Sequence, residues 1–125
     1  AFSKIGHMDE FMIVDAGFPF PSGVRIIDLA ISKNKPTVND VLMALIQNFS
    51  IEKIVISNEI GIHNPMKLKE IVDLFNINMP VEMISHVDLK RRSSNVKVIV
   101  RTGDFTTFSN ILLISGAGNQ WFTEI

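Results

Sequence analysis

The sequence predicts an α/β domain on three observations. Short β-branched, apolar runs recur along the chain, stretches of helical periodicity separate them, and the 125 residues contain neither an internal repeat nor a linker. The first run, Phe11-Met12-Ile13-Val14, is continuously apolar, the pattern of a strand buried on both faces, and Asp15-Ala16-Gly17-Phe18-Pro19 closes it. Residues 18–23 are the most turn-rich stretch, and their prolines hold them extended rather than helical. Residues 24–31 read as a second strand, and residues 53–57, 81–85, 96–100 and 110–114 as four more.

The helices carry their own start signals. Thr37 precedes Asp40 by three, a capping box with Asp in the role usual for Glu or Gln, and Val41, Leu42, Leu45, Ile46 and Phe49 then share one face. In the second helix Asn64 is the expected cap and Pro65 takes the first helical position, where its missing N–H costs nothing. Its buried stripe is Leu68, Ile71, Val72 and Phe75. A shorter helix follows His86 through Val87 to Arg92, with Lys90-Arg91-Arg92 at the end that the helix dipole favours for cations. One domain spanning residues 1–125 is expected.

Composition narrows the functional classes. Twelve Lys+Arg stand against 13 Asp+Glu, so bulk charge recruits neither nucleic acid nor a membrane surface. The absence of cysteine excludes a disulfide framework, a thiolate zinc site, an iron–sulfur cluster and a cysteine nucleophile. No apolar run approaches the roughly 20 residues that span a bilayer, and no signal-peptide pattern opens the chain. A cytoplasmic protein is expected. With 20% charged residues and a mean hydropathy of +0.27, the chain is greasy for so small a domain, which points to contacts between subunits.

With no Cys and no Tyr, three histidines are the first candidates for acid/base work near neutral pH. His7 lies in Gly6-His7-Met8-Asp9 before the first strand, a place that suits a surface loop as well as a site. Asp15 closes that strand beside Gly17 and Pro19, where a carboxylate either faces a ligand crevice or caps the next turn. Were residues 7 to 15 all extended, eight steps of roughly 3.3 Å would separate the two by about 26 Å. A shared site therefore needs either a reversal at residues 7–10 or two different subunits. His86 ends the fourth strand, either as a helix-entry residue held by backbone or as a site residue; His63 enters the helix at Asn64-Pro65. No His-x-His or His-x-x-x-His pair occurs, so a metal site could arise only by long-range assembly and none is expected. Residues 101–110, polar and glycine-bearing, join the last two strands as a binding loop or a simple hairpin-like connection. They lack the phosphate-loop pattern.

Taken together and in order, several segments resemble the D-ribose pyranase family, whose relatives include the fucose mutarotases. They are Gly6-His7-Met8-Asp9, Asp15-Ala16-Gly17-Phe18-Pro19-Phe20-Pro21, Arg25-Ile26-Ile27-Asp28-Leu29-Ala30, Asn58-Glu59-Ile60 with His63-Asn64-Pro65, His86 with Lys90, and Arg101-Thr102-Gly103-Asp104 leading to Ser109-Asn110-Ile111. The Asp-Ala-Gly-x-Pro-x-Pro run points to the ribose branch.

The resemblance implies a three-layer α/β/α fold with a mixed, about six-stranded sheet, and a metal- and cofactor-independent isomerase. Its expected activity is to interconvert the β-pyranose and β-furanose forms of D-ribose through ring opening. A ring-shaped homo-oligomer, a pentamer or decamer, would build the site from neighbouring subunits. His7 matches the family's acid/base histidine; Asp15, His86, Phe108, Ser109 and Asn110 match substrate-binding positions. Phe108 stands where the ribose enzymes usually carry Tyr, so a hydroxyl is gone that could affect affinity or the sugar accepted. The family normally has a further helical segment ahead of Gly6-His7, and residues 118–125 extend past its usual ending, where Trp121 or Phe122 would either reach the site or cover an apolar patch. The rival expectations are a non-catalytic sugar- or partner-binding protein on the same fold, and an enzyme for another pentose or a deoxy sugar.

Overall fold

The computed structural model describes residues 9–116, so the expectations placed on His7 and on residues 118–125 lie outside the described residues. Along the chain follow β1 (Glu10–Val14), β2 (Arg25–Asp28), α1 (Val38–Ile46), β3 (Ile51–Ser57), α2 (Asn58–His63), α3 (Pro65–Asp73), β4 (Val81–Ile84), α4 (His86–Arg92), β5 (Val98–Arg101) and β6 (Ile111–Ser115). The strands form one sheet in the order β2-β5-β1-β6-β3-β4. β2, β5 and β1 pair in parallel, β3 and β4 likewise, and β6 runs antiparallel to both of its neighbours, β1 and β3.

The continuous apolar runs are explained by the two faces of this sheet. Phe11, Ile13, Ile54, Ile56, Val98, Val100, Ile111 and Leu113 point to one side, where Val38, Val41 and Leu42 of α1, Ile60 of α2 and Ile71 of α3 cover them. Met12, Val14, Val55, Ile99, Leu112 and Ile114 point to the other, against Phe18 and Leu89 of α4. Three layers result, α/β/α, as expected. Each fully buried aliphatic side chain contributes roughly 1.5–3 kcal/mol, so the four interior strands anchor the fold.

Local signals explain most of the helix starts. The Thr37–Asp40 capping box is formed in both directions, with the Asp40 N–H donating to Thr37 Oγ1 at 3.1 Å and the Thr37 N–H to Asp40 Oδ2 at 3.0 Å. Pro65 opens α3, but Asn64 does not cap it with its side chain. Its amide instead donates to the Thr107 carbonyl at 2.9 Å.

Other expectations are corrected. The second strand is shorter than residues 24–31, because Ile31 is 85% exposed and has no core to alternate against. Helix α2 was not expected: Ser57 ends β3 and at once caps α2, accepting the Ile60 N–H at 3.3 Å. His63 is thus the last residue of α2 rather than a helix-entry residue. Ser85 likewise caps α4, which moves His86 from the strand end to the first turn of a helix. Residues 102–110 are no hairpin either, since β1 lies between β5 and β6.

This topology positions the site. Five parallel strands bring their C-terminal ends to one edge of the sheet, and the reversed β6 brings its N-terminal end there too. Val14 faces Arg101, and Ile13 faces Ile111, so Asp15, Thr102 and Asn110 emerge side by side.

Candidate functional site

A cleft of about 440 Å³ opens at this edge. Asp15 and Asn110 lie in its floor, each almost fully buried, with the Asp15 N–H donating to Asn110 Oδ1 at 2.8 Å. The Asp15 carboxylate accepts the Gly17 N–H at 3.1 Å, an Asx turn that folds residues 15–17 around it. Both alternatives for Asp15 are therefore realised at once: it caps its turn and it faces a crevice.

His86 and Phe108 form a wall. Their rings meet edge to face at 5.1 Å between centroids, while Phe18 meets His86 the same way at 6.0 Å. On its other side Phe108 stacks on His63 at 5.3 Å and 25°. Phe108 adopts φ +63°, a left-handed conformation that is costly for a bulky aromatic residue and collects at functional sites. The His86 backbone N–H donates to Glu59 Oε1 at 2.9 Å, which ties α4 to α2. Nδ1 of His86 is buried without a hydrogen-bond partner among the described residues. Burial and the nearby Lys90 lower the His86 pKa, against the pull of Glu59 and Asp15, so the ring is neutral at pH 7.

Asp15, His86, Phe108 and Asn110 thus come together. The side chain of Ser109 does not join them: it is fully buried, and its hydroxyl donates to the Thr106 carbonyl at 2.7 Å. The end of β5 and the loop after it line the cleft with further residues that the sequence does not single out, Arg101 and Asp104 among them. Arg101 Nη1 grips Asp28 at 3.0 Å and Nε donates to the Ala16 carbonyl at 3.1 Å, holding the cleft's rim. Asp104, 1% exposed, pairs with Lys67 at 2.7 Å. Burial pulls its carboxyl upward, but Lys67 and the N–H groups of Thr106 and Val38 together hold it below the ordinary range. Nothing in the local sequence marks either partner; an acidic residue one step past a glycine at a strand end was the only signal.

Burial has the opposite net effect on Asp15. It raises the carboxyl above the ordinary carboxylate range, and Gly17, Asn110 and His86 restrain the rise only in part. Between the ordinary and the raised value the native state binds more protons than the unfolded chain, so stability falls as pH rises through that window. The deficit is complete above it. Asp15→Asn keeps the acceptor for Gly17 and removes the buried charge. Its denaturant midpoint is expected to exceed that of the wild type at pH 7, with the gain vanishing as the pH falls to about 4. A variant no more stable than wild type at pH 7 would contradict this burial cost.

Chemically, the cleft combines aromatic walls with a few convergent donors and acceptors, the composition of a site for a small polar ligand with apolar faces. Among the described residues, no group of three or more His, Asp or Glu side chains is arranged to hold a metal ion. No helix among them is long and apolar enough to cross a membrane.

The comparisons with known proteins agree with this geometry. The chain is 43% identical over 112 residues to the D-ribose pyranase of Lactococcus lactis subsp. cremoris strain MG1363, covering 90% of this chain and 85% of that one. The structure of Bacillus subtilis RbsD complexed with D-ribose superposes with a TM-score of 0.89 at 33% identity, covering 92% of this chain and 87% of that one. A fucose mutarotase from Streptococcus pneumoniae, solved in complex with L-fucose, shares the fold with a TM-score of 0.73 at 20% identity, covering 91% of this chain and 86% of that one. The matching fold, the relatives' identity across nearly the whole chain, and a family model that fits residues 1–118 lead to one conclusion: the chain belongs to the RbsD / FucU transport protein family.

Proposed function

We propose that the protein is a cofactor-independent sugar isomerase that interconverts the β-pyranose and β-furanose forms of D-ribose or a related sugar. The observation that carries this reading is the convergence of Asp15, Asn110, His86 and Phe108 in one cleft of a chain so similar to a ribose-bound RbsD. Ring opening removes the anomeric hydroxyl proton, breaks the bond from C1 to the ring oxygen and protonates that oxygen. The resulting free aldehyde recloses through a different hydroxyl. An imidazole can accept one proton and donate the other in sequence, and His7 is the residue we assign to both transfers. Asp15 and Asn110 hold sugar hydroxyls, Asn110 offering donor and acceptor together, and neutral His86 contributes another polar contact. Ser109 contributes through its backbone, since its hydroxyl is already engaged.

We further assign the catalytic His7 to a second copy of the chain, in a cytoplasmic homo-oligomeric ring, a pentamer or decamer. Two features support this. β1 runs extended away from the cleft, and Asp9 at its far end is tied to β6 by the Ser115 N–H at 2.8 Å. Large apolar side chains also stand exposed on the single chain, among them Ile62 at 73% and Met66 at 77%.

Saturation-transfer NMR of ribose at equilibrium tests the reading. Wild-type protein is expected to speed exchange between pyranose and free aldehyde, and His7→Ala to abolish that effect. Binding without any acceleration, for every pentose tried, would support the non-catalytic binding protein instead. In the same assay Phe108→Tyr restores a hydroxyl on the cleft wall and is expected to tighten ribose binding about tenfold, the value of a well-placed neutral hydrogen bond. Unchanged affinity would show that position 108 makes no polar contact with the sugar.

A further inference from the structure

We propose that Lys67 and Asp104 are a positioning pair for the cleft, their charges setting where residues 106–110 present Phe108 and Asn110. The inference deepens the sugar-isomerase reading and rests on it. Asp104 joins four segments. Its Oδ2 accepts from Lys67 Nζ at 2.7 Å and from the Val38 N–H at 2.9 Å, and its Oδ1 accepts from the Thr106 N–H at 2.8 Å. Its own carbonyl accepts the Ala16 N–H at 2.8 Å, beside Asp15. The start of α1, α3 and the crossover to β6 therefore meet on one carboxylate, and the loop after β1 on the backbone carbonyl of the same residue.

Lys67 is not where α3 would place a cation for its own sake. It occupies the first turn, where the helix dipole disfavours positive charge, and that turn holds no acidic residue. Its side chain is only 12% exposed, so the position makes sense through Asp104. The same corner of α2 and α3 grips the crossover twice more. Asn64 donates to the Thr107 carbonyl at 2.9 Å, and the His63 ring stacks on Phe108 at 5.3 Å. Between these grips Phe108 is held at φ +63°, a conformation an aromatic residue keeps only when its surroundings impose it. The ion pair is the charged one of the three holds, and its Asp104 also accepts the N–H of Ala16, the residue next to Asp15.

A pair that merely supported the fold would be replaceable by neutral groups of similar size, because a buried ion pair gains little over such groups in net stability. A positioning pair would not. The test compares the wild type with Lys67→Met, Asp104→Asn, the double variant Lys67→Met/Asp104→Asn, and Lys67→Arg. It reads thermal midpoint, kcat and KM for ribose exchange, and ribose Kd by NMR titration. Each single neutralisation strands a buried charge and is expected to lower the thermal midpoint and raise KM and Kd about tenfold, with kcat changed less than about threefold. The double variant is expected to regain the wild-type midpoint while KM and Kd stay raised. Recovery of midpoint, KM and Kd together would overturn the proposal, leaving the pair a fold support.

Should the double variant fail to fold, Lys67→Arg keeps the charge and shifts it. A raised KM and Kd at near-wild-type midpoint supports the proposal, and unchanged values overturn it. The Kd readout tests the pair even without turnover, so a wild type that binds ribose and does not exchange it sinks only the isomerase reading. A wild type that neither binds nor exchanges ribose sinks both.

Discussion

Mixed oligomers of His7→Ala and Asp15→Asn chains are expected to recover about a quarter of wild-type exchange activity, although each variant alone has almost none. A site that draws His7 from one chain and Asp15 from another has even odds of each intact residue under random mixing, hence about one intact site in four. If both residues came from the same chain, every site in the mixture would carry a lesion and nothing would be recovered. The geometry favours sharing. Six extended steps from Asp9 to Asp15 span about 20 Å, and the two residues from Asp9 back to His7 regain at most about 8 Å. They would also have to return along β1, whose flanks carry β5 and β6 and whose side chains from Phe11 to Val14 are fully buried. The check is to denature and co-refold the two variants in equal amounts and measure ribose exchange against each homogeneous variant. Sedimentation of the wild type is the companion measurement, because a monomer at micromolar concentration has no second chain to share with.

Gly103→Ala is expected to destabilise the protein by roughly 3 kcal/mol, the upper range for overpacking, and so to lower its thermal midpoint by about 10 °C. A Cβ at this position would lie 2.4 Å from the Ser32 carbonyl oxygen and 2.9 Å from that of Lys35, and both obstacles are backbone. Residues 31–35 are a tight turn laid across Gly103. The Asn34 N–H donates to the Gly103 carbonyl at 2.6 Å, the Gly103 N–H to the Pro36 carbonyl at 2.9 Å, and Asn34 Oδ1 accepts the Phe105 N–H at 2.9 Å. To admit a methyl group the turn must lift, and those bonds, next door to Asp104, must lengthen or break. Ribose affinity is therefore expected to fall along with stability. Gly17→Ala is the control: its Cβ would meet only the Asp15 carboxylate, at 3.9 Å, and its midpoint is expected to stay within about 2 °C of wild type. Equal midpoints for the two variants would refute the clash.

What could be read in advance depended on how local its cause was. The strand at residues 11–14 is legible because a strand covered on both faces can spare no polar residue, and Thr37 with Asp40 is legible because a capping box closes within four residues. Helix α2 escaped notice because its cap, Ser57, also ends a strand and because Gly61 interrupts a six-residue helix. Asp15 and Asn110 stood out as polar residues at strand ends, yet their meeting depends on β6 pairing with β1, and nothing near either residue encodes it. Ser109 sits in the right loop with its hydroxyl turned away, since Thr106 offers a carbonyl three residues back. Asp104 and Arg101 gained their meaning only from Lys67 and Asp28, 37 and 73 residues distant.

The reversed strand at the heart of the sheet also dictates an order of events during synthesis. β2, β5 and β1 form one parallel set and β3 with β4 another, and β6 alone joins them. Without residues 111–115 the sheet would be two half-sheets whose inner edges, β1 and β3, are apolar and unpaired. Such edges are templates for aggregation, and contacts between segments about 100 residues apart are slow to form. The last strand therefore closes the two halves, seals their edges and completes the floor of the cleft in a single step. A chain cut short before Asn110 lacks part of the cleft's floor and the strand that joins its two half-sheets.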